Sequence, residues 1–450
     1  GLDIEMPGGD DDKFHTLPDL VASGEVPESA VDEMAVHVLS SMYAAGQFDG
    51  KFKFTTGDAA LSTNVTSDEH RDVARKTIID SAVLLKNDYE TLPLRTAGKK
   101  IALIGRACKE TTDKSYGQGD VFSGGGSGYV MSNLTISPLE GLRRHIKDAG
   151  AITWSEDASA GHGADVAIVC AAAHSEEGWD RANLSLPGAA ELVTALRNQD
   201  HADAVLEMAQ ALAGLPAARK GGSKRIVVLA VSPGALTTEW IDQVDAALLM
   251  FMPGEQVGPA FAQLLTGEES PGGRLPISLP KVDEKRFTPE QYPGTPYNDV
   301  NMTARFSEGV LVGYRWNNAK NIPSAFPFGY GLGYTSFEFR DFEISCQGGK
   351  ATVSMSVVNT GAREGVAVPQ LYVSFDSLKP VVRQLRGFQK AIVPAGQQVK
   401  VDFTLGEADW SFYHEAERTW RSAVAMGETV TVHVGSSSAD LTWDGQLSCL

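Results

Sequence analysis

Glu177 and Trp179 are two residues apart in a segment that could carry acid–base chemistry. A carboxyl group beside an indole, inside a pocket, is partly desolvated, and desolvation raises its pKa so that it can hold a proton near neutral pH. Such a carboxyl group can act as a general acid. The competing interpretation is a solvated acidic loop in which Asp180 and Arg181 form a local ion pair, because most loop carboxylates carry out no chemistry.

The segment follows a run of residues, 165–172, that is apolar at nearly every position. Such a run is typical of a strand that is buried on both faces, as in a parallel sheet. Glu177 is therefore predicted just beyond the carboxyl end of a strand. In open α/β sheets ligands bind at that edge, because the loops there converge on a crevice that the helices do not cover.

Other apolar runs and helical patterns predict the sheet that positions this loop. The runs 101–105, 165–172, 225–232 and 247–252 alternate with helical stretches at 139–149 and 189–212. A further helix is predicted from about Ser67, with Ala74, Ile78, Ala82 and Leu85 on one face. Alternating strands and helices indicate a doubly wound, mostly parallel sheet over residues 67–290.

The first fifty residues cannot bury a core by themselves. Residues 1–9 predict a short strand that ends in a turn, and a helix from about Ser29 to Ala45 carries one apolar stripe. The stripe consists of Val31, Met34, Ala35, Val38 and Met42. One strand and one helix must pack on another layer, which the nearby sequence does not supply. Residues 51–66 are polar and are predicted as a linker.

From residue 337 the sequence alternates between apolar and polar positions without helical patterns. Strands are predicted at 351–358, 366–375, 398–405 and 429–434, with glycine-containing turns between them. This pattern is typical of a small all-β sandwich, assigned to residues 336–450. A second linker, 291–335, falls within a segment rich in proline, glycine and tyrosine.

Composition excludes several functions. The net charge of −18 and a pI near 5.0 argue against nucleic acid or an anionic membrane as partner. No apolar run approaches the roughly 20 residues of a membrane span. No signal peptide is found, and Gly1 resembles the interior of a longer protein.

The glycine-rich run 117–128 lacks the Lys-Ser/Thr of a P-loop, which favours a mobile loop at the crevice over a phosphate cradle. The histidines show no metal-ligand spacing, so neither a metal nor a cofactor is predicted.

The cysteines and glycosylation sequons bear on the compartment. Cys170 is predicted as a free thiol in the core, and Cys346 could pair with Cys449 if their strands are neighbours. Four Asn-x-Ser/Thr sequons are compatible with a secreted glycoprotein, the alternatives being the periplasm or a lysosome or vacuole. They are at Asn64, Asn133, Asn183 and Asn301.

Several short motifs occur along the chain: GLDIEMPG (1–8), AVLLKN (82–87), EGWDR (177–181), GRLP (273–276), EGVLVGYR (308–315), FPFGYGLGY (326–334), VNTG (358–361) and PQLYV (369–373). Taken together and in this order, they resemble the carboxyl-terminal two-thirds of a family 3 glycoside hydrolase of the β-glucosidase type. The resemblance implies a TIM barrel, an α/β sandwich and a fibronectin-III-like domain, with the active site between the first two. Residues 1–50 would be the last strand and helix of the barrel.

The resemblance also implies an activity. The chain looks like part of a retaining, exo-acting hydrolase that releases terminal β-D-glucose from β-glucosides and oligosaccharides by double displacement. Glu177 would be the acid/base and Trp179 an aromatic that stacks on the leaving-group sugar, with Glu176 as the nearest competitor for the catalytic role.

The sequence departs from the family in one respect. The family's nucleophilic aspartate lies shortly before the GLDIEMPG stretch, at which this chain starts. A retaining hydrolase needs two carboxyl groups about 5 to 5.5 Å apart. An amino-terminal barrel fragment is therefore expected as a partner that carries the second carboxyl group.

Other hypotheses remain open at this point. The chain could be a non-catalytic carbohydrate-binding or structural subunit derived from such an enzyme, or a β-xylosidase of the same family. A further hypothesis takes Asp3 or Glu5 as the nucleophile. The sequence does not decide whether the chain self-associates into a homo-oligomer.

Overall fold

A computed structural model describes residues 2–6, 13–50, 62–111, 122–127, 132, 134–212, 224–282, 291 and 303–447. Internal contacts group the chain into two units, residues 1–67 and 68–450, which are described separately. Within the described residues, no helix combines the length and the apolar character needed to cross a membrane.

The first unit contains helices α1 (Leu17–Ser23) and α2 (Glu28–Ala44). The second agrees with the predicted helix to within one residue at each end. Residues 2–6 form no β-strand and have no strand pairing with another described segment, so the strand predicted for residues 1–9 is not formed there. No side chain of α2 is fully buried, and an apolar patch on it is exposed to solvent together with a neighbouring phenylalanine. The patch consists of Val36, Leu39, Tyr43 and Phe48.

The second unit begins with a six-stranded sheet in the order β1-β6-β5-β4-β2-β3. Its strands are β1 (Val83–Asn87), β2 (Lys100–Ile104), β3 (Ala151–Ser155), β4 (Val166–Ala172), β5 (Arg225–Val231) and β6 (Ala246–Met250). Strands β2 to β6 pair in parallel, and β1 pairs antiparallel with β6. From β2 the chain continues to β3 at one edge of the sheet. It then crosses back to β4 on the other side of β2, and β5 and β6 follow toward the opposite edge. The strand order therefore reverses between β2 and β4.

Strand β1 corrects the sequence-based prediction. Ala82 and Leu85 were assigned to the helix that starts near Ser67, but the helix, α3 (Asp68–Ser81), ends before them. Leu85 lies in β1 and is buried. The apolar spacing is compatible with a helix, but pairing of this segment with β6 decides its conformation, because tertiary contacts override a weak local preference.

Helices cover both faces of the sheet, which explains why the central parallel strands β4, β5 and β6 are apolar at nearly every position. The remaining helices of this domain are α4 (Pro138–His145), α5 (Ala189–Leu212) and α6 (Val257–Thr266). Leu103 and Ile168 point to one face and pack with α3, α4 and α6. Ile104 and Val169 point to the other face and pack with α5. The doubly wound arrangement predicted from the sequence is confirmed.

A disulfide joins Cys108, which follows β2, to Cys170 in β4. The prediction that Cys170 is a free thiol is therefore wrong. The apolar surroundings that suggested a thiol are present, but the turn after β2 places Cys108 next to Cys170. Cys346 also takes part in a disulfide; its predicted partner, Cys449, lies outside the described residues.

The carboxyl-terminal part is an antiparallel β sandwich, as predicted. Its strands are β7 (Phe337–Gln347), β8 (Lys350–Asn359), β9 (Gly365–Ala367), β10 (Gln370–Ser374), β11 (Gln384–Phe388), β12 (Ala391–Val393), β13 (Gln398–Leu405), β14 (Ser411–His414), β15 (Thr419–Ser422), β16 (Thr431–Gly435) and β17 (Leu441–Gln446). Sheets β11-β10-β16-β17 and β13-β8-β7 enclose one apolar core, to which Val353, Leu371 and Val432 contribute.

The segment predicted as the second linker, 291–335, contains helix α7 (Tyr314–Lys320) among its described residues. Trp316 of α7 packs against the core of the sandwich. The ring of Tyr314 stacks on Phe328 at 4.6 Å between centroids, and its hydroxyl accepts a hydrogen bond from the backbone N–H of Leu385 at 2.9 Å. The described part of this segment therefore packs closely on the sandwich.

Candidate active site

The loop after β4 is folded into a tight turn. The backbone N–H of Trp179 donates to the carbonyl of Glu176 at 3.0 Å, and the backbone N–H of Glu176 donates to the carbonyl of Trp179 at 3.3 Å. Gly178, the third residue of the turn, has a φ of +77°, whereas Glu177 is not among the residues with positive φ. That combination is the requirement of a type II turn, which favours glycine at this position. Glu177 is thus presented at the corner of a defined turn.

A second segment, residues 122–127, packs against this turn. Gly125 forms a parallel β-bridge with Glu176. The backbone N–H of Ser127 donates to Oε2 of Glu177 at 2.7 Å. These residues belong to the glycine-rich run 117–128, of which the remaining residues lie outside the described ones. In its described part the run borders the Glu177 loop, and it directs a backbone N–H at a carboxylate of the protein.

Gly126 allows this close approach. A Cβ atom at this position would lie 2.5 Å from Cβ of Glu177, and the φ of Gly126 is +85°. Both the contact and the backbone conformation exclude a larger residue without rearrangement. The glycine at position 126 therefore sets the spacing between the two segments.

The electrostatics of Glu177 differ from the sequence-based expectation. Its side chain is exposed in the described structure. The side chain of Ser127 and the hydrogen bond from its backbone N–H lower the pKa of Glu177 and outweigh the opposing effect of desolvation. The expected rise in the pKa is therefore wrong for this structure. Without residues that bury the carboxyl group, donors to its charged form dominate.

The adjacent glutamate has a different environment. The side chain of Glu176 is only 14% exposed, and its Oε2 lies 3.7 Å from Nε2 of His174, which is also buried. Adjacent residues of this turn thus direct one carboxyl group inward and the other toward solvent. The sequence does not distinguish between them.

Trp179 is 64% exposed, although it is a large apolar side chain. It follows the turn directly, so its indole lies on the same loop as the carboxyl group of Glu177. An exposed tryptophan next to an exposed carboxylate offers both an apolar surface and a group that can donate or accept a proton.

The loop is tied to the strand next to β4. The guanidinium of Arg181 donates to the carbonyl of Ala235 at 2.8 Å and to the hydroxyl of Ser232 at 3.4 Å. Both acceptors follow β5. This arrangement gives Arg181 a structural role in the loop.

A cleft of about 470 Å³ lies beside the loop, between the ends of β2 and β4. The strand order reverses there, which is the usual position of ligand sites in open α/β sheets. The lining residues include Gly105, Arg106 and Ala107 after β2, Glu156 after β3, Ala173 and His174 after β4, and Pro187 and Gly188 before α5.

The acidic residues of the first unit make local contacts. Asp3 lies 3.2 Å from Nδ1 of His37, and the carboxylate of Glu5 accepts the backbone N–H of Phe14 at 2.7 Å.

The sequons are exposed where they are described: Asn64 and Asn183 each accept a backbone hydrogen bond from the residue two positions later. The other two, Asn133 and Asn301, lie outside the described residues. In the described parts of the chain, no group of three or more histidine, cysteine or acidic side chains is placed to bind a metal ion.

Comparison with known proteins assigns the chain to a family. Residues 82–334 match the glycosyl hydrolase family 3 C-terminal domain, and residues 367–438 match a fibronectin type III-like domain. The chain belongs to glycosyl hydrolase family 3. This family 3 chain is 30% identical to probable beta-glucosidase L of Aspergillus terreus, over 100% of the chain and 64% of that protein. It is 28% identical to thermostable beta-glucosidase B of Acetivibrio thermocellus, over 98% of the chain and 55% of that protein.

Solved structures give the same result for the family 3 fold. The chain superposes on beta-glucosidase D2-BGL from Chaetomella raphigera with a TM-score of 0.79 and 27% identity, covering 100% of this chain and 66% of that one. The beta-D-glucoside glucohydrolase from Trichoderma reesei gives the same score and identity and is covered to 65%. The chain thus spans less than two-thirds of the length of these relatives. The resemblance stated from the sequence is confirmed.

Two contacts of the site were not predicted from the sequence. Ser127 is 50 residues from Glu177 and belongs to a glycine-rich run that was considered separately. His174 lies in the loop itself but has no spacing that marks it as a partner of Glu176. The glycine-rich run was the only available signal, and it does not specify which carboxylate it contacts.

Proposed function

We propose that this chain is the carboxyl-terminal portion of a retaining β-glucosidase, with Glu177 as its acid/base. The observation that carries the proposal is an exposed carboxylate on a glycine turn at the carboxyl end of β4, in a family 3 chain that matches β-glucosidases along its whole length. Ligands of open α/β sheets bind at this edge.

In the proposed reaction Glu177 acts twice. It first protonates the glycosidic oxygen while a nucleophilic aspartate attacks the anomeric carbon and forms a glycosyl–enzyme intermediate. The ionised Glu177 then accepts a proton from the water that hydrolyses this intermediate. The nucleophile and the pocket for the terminal glucose belong to polypeptide upstream of this sequence, in the part of the relatives that the chain does not span.

Upstream polypeptide that covers the turn would also explain how Glu177 reaches the pKa that a general acid needs. A general acid needs a pKa near the working pH, whereas the Glu177 described here is exposed and its pKa is lowered. Covering the turn would desolvate the carboxyl group and raise its pKa. The exposed indole of Trp179 would then form one wall of the leaving-group subsite, stacked on a sugar ring.

Glu176 is the alternative acid/base. Its buried position beside His174 fits a structural role better, since a general acid must reach the substrate. The disulfide between Cys108 and Cys170 supports secretion, because disulfides persist in oxidising compartments. Glycosylation at the exposed Asn64 and Asn183 is proposed on the same basis.

The test is Glu177→Gln in the complete enzyme, with this chain joined to its upstream polypeptide. Hydrolysis of substrates with poor leaving groups should fall by roughly 10² to 10⁴-fold. Aryl glucosides with good leaving groups should lose much less in the first step, because they need little protonation. Azide should rescue the second step by replacing the activated water.

Glu176→Gln is the control and should have a mild effect. Equal losses on both types of substrate would reject Glu177 as the acid, and a larger effect of Glu176→Gln would transfer the role to Glu176. Hydrolysis of aryl xylosides in preference to aryl glucosides would support the β-xylosidase alternative. No activity with any glycoside in the complete protein would favour a non-catalytic subunit.

A further inference from the structure

The segment 122–127 is anchored at its start in the core of the α/β domain. Phe122 is fully buried on the face of the sheet covered by α3, α4 and α6. Its carbonyl accepts the backbone N–H of Gly254, beyond the end of β6, at 3.0 Å. The position of the segment is therefore set by the sheet.

The other end of the segment is fitted to the Glu177 turn. Gly125 pairs with Glu176, and the missing side chain of Gly126 leaves room for Cβ of Glu177. A contact at Gly124 completes the fit, since a Cβ atom there would lie 3.4 Å from the carbonyl oxygen of Ser175. Three consecutive glycines thus follow the backbone of residues 175–177.

This close packing brings Ser127 to the carboxylate. Its N–H donates to Oε2 of Glu177 at 2.7 Å, a short hydrogen bond of the kind formed by charged acceptors. The other residues of the segment, Phe122 to Gly126, have no ionisable side chains. On the turn itself, Glu176 is directed toward His174, Arg181 binds groups after β5, and Asp180 is exposed. Ser127 is accordingly the partner that the described structure gives to Glu177.

We propose that the backbone N–H of Ser127 is a positioning group of the proposed reaction, which holds the Glu177 carboxylate in one orientation. This inference rests on the proposed function of Glu177. The ionised form is the one that accepts a proton from water in the second step. The same contact opposes protonation in the first step, so Ser127 balances the two halves of the cycle and shifts the first toward acidic pH.

The test is Ser127→Pro, which removes the N–H donor, with Ser127→Ala as the conservative variant that keeps this donor and Ser123→Ala as the matched control. Ser123 is exposed and lies in the same segment. In the complete enzyme, the pH profile of kcat/KM is measured on a substrate with a poor leaving group, which requires protonated Glu177. Removing the N–H donor to the charged carboxylate raises the pKa of Glu177, so the basic limb of Ser127→Pro should move to higher pH.

The second step should respond in the opposite sense. Hydrolysis of the glycosyl–enzyme intermediate should slow by roughly two- to tenfold, a small part of the usual contribution of acid–base catalysis. Ser127→Ala keeps the N–H donor and should change both properties less than Ser127→Pro, and Ser123→Ala should match the unsubstituted enzyme. Gly126→Ala should change the same properties in the same direction, because it displaces the Glu177 backbone from the N–H of Ser127.

A readout independent of activity uses the 450-residue chain alone. The ¹³C resonance of the Glu177 carboxyl group, assigned by its loss in Glu177→Gln, is titrated in both forms of residue 127. Its midpoint should be higher in Ser127→Pro than in the unsubstituted chain. An unchanged midpoint overturns the inference, and so does a changed midpoint with an unmoved basic limb. If instead Glu177→Gln shows no dependence on the leaving group, the proposed function itself fails.

Discussion

The disulfide between Cys108 and Cys170 should stabilise the α/β domain strongly. It joins two segments that flank the cleft beside the Glu177 loop, and both cysteines are buried. The prediction is tested with three variants, Cys108→Ala, Cys170→Ala and the double variant. Each single substitution removes the whole cross-link.

The magnitude follows from the length of the closed loop. The two cysteines are 62 residues apart. In the chain-entropy description, a loop of this length lowers the entropy of the unfolded chain by about 14 cal/mol/K, or about 4 kcal/mol at 25 °C. Truncation of each buried side chain adds about 1 kcal/mol. Each single variant should therefore lose about 5 kcal/mol and the double variant about 6.

The assay is urea unfolding followed by tryptophan fluorescence and far-UV circular dichroism, with all four forms compared in a double-mutant cycle. The coupling between the two sites should be about 4 kcal/mol, because the second substitution removes no further cross-link. With an m value of about 3 kcal/mol/M, each single variant should shift the midpoint down by roughly 1.7 M. Small losses that simply add would refute the reasoning, since they would show two independent side chains.

Three further outcomes are expected. Trp179→Ala in the complete enzyme should lower kcat/KM for disaccharides more than for aryl glucosides, by about 1 to 2 kcal/mol; a collapsed Tm with unchanged kinetics would make it a core residue instead. Limited proteolysis of the 450-residue chain should trim it to about Ser67, as judged by mass spectrometry, because α2 buries no side chain; a resistant amino terminus would contradict this. Gly141→Ala should destabilise the α/β domain by about 1 to 3 kcal/mol in thermal melts, because its Cβ would lie 2.2 Å from the backbone of Gly258 in α6. Gly333→Ala is the control, since its Cβ would meet only ordinary contacts, and an equal loss there would refute the steric argument.

The parallel strands were predictable because strands buried on both faces form short, nearly continuous apolar runs in the sequence. The runs 165–172 and 225–232 are apolar at nearly every position, and each forms a strand, β4 or β5, with helices on both faces. Helix α5 was predicted at its observed bounds, 189–212. Strand β1 was assigned to a helix because its few apolar residues fit both periods. Pairing with β6, more than 150 residues later, decided between them.

The features of the candidate site also fall into two groups, those that follow from local sequence and those that depend on residues distant in the chain. The position of Glu177 beyond the carboxyl end of a strand follows from local sequence, since a buried strand and the residues after it are contiguous. The direction of its carboxyl group, its exposure and the sign of its pKa shift do not follow from local sequence, because they depend on the contact with Ser127 and on whether other residues cover the turn.

By itself the sequence determined the fold class, the family and the candidate acid/base, because alternating burial and short motifs are encoded by residues close together in the chain. The tertiary structure alone decided which cysteine Cys170 pairs with, which of two adjacent glutamates faces solvent, and which segment contacts the exposed one. These features join residues separated by tens of positions. Such contacts have no period in the sequence, and they form only when sheet order and helix packing bring distant segments together.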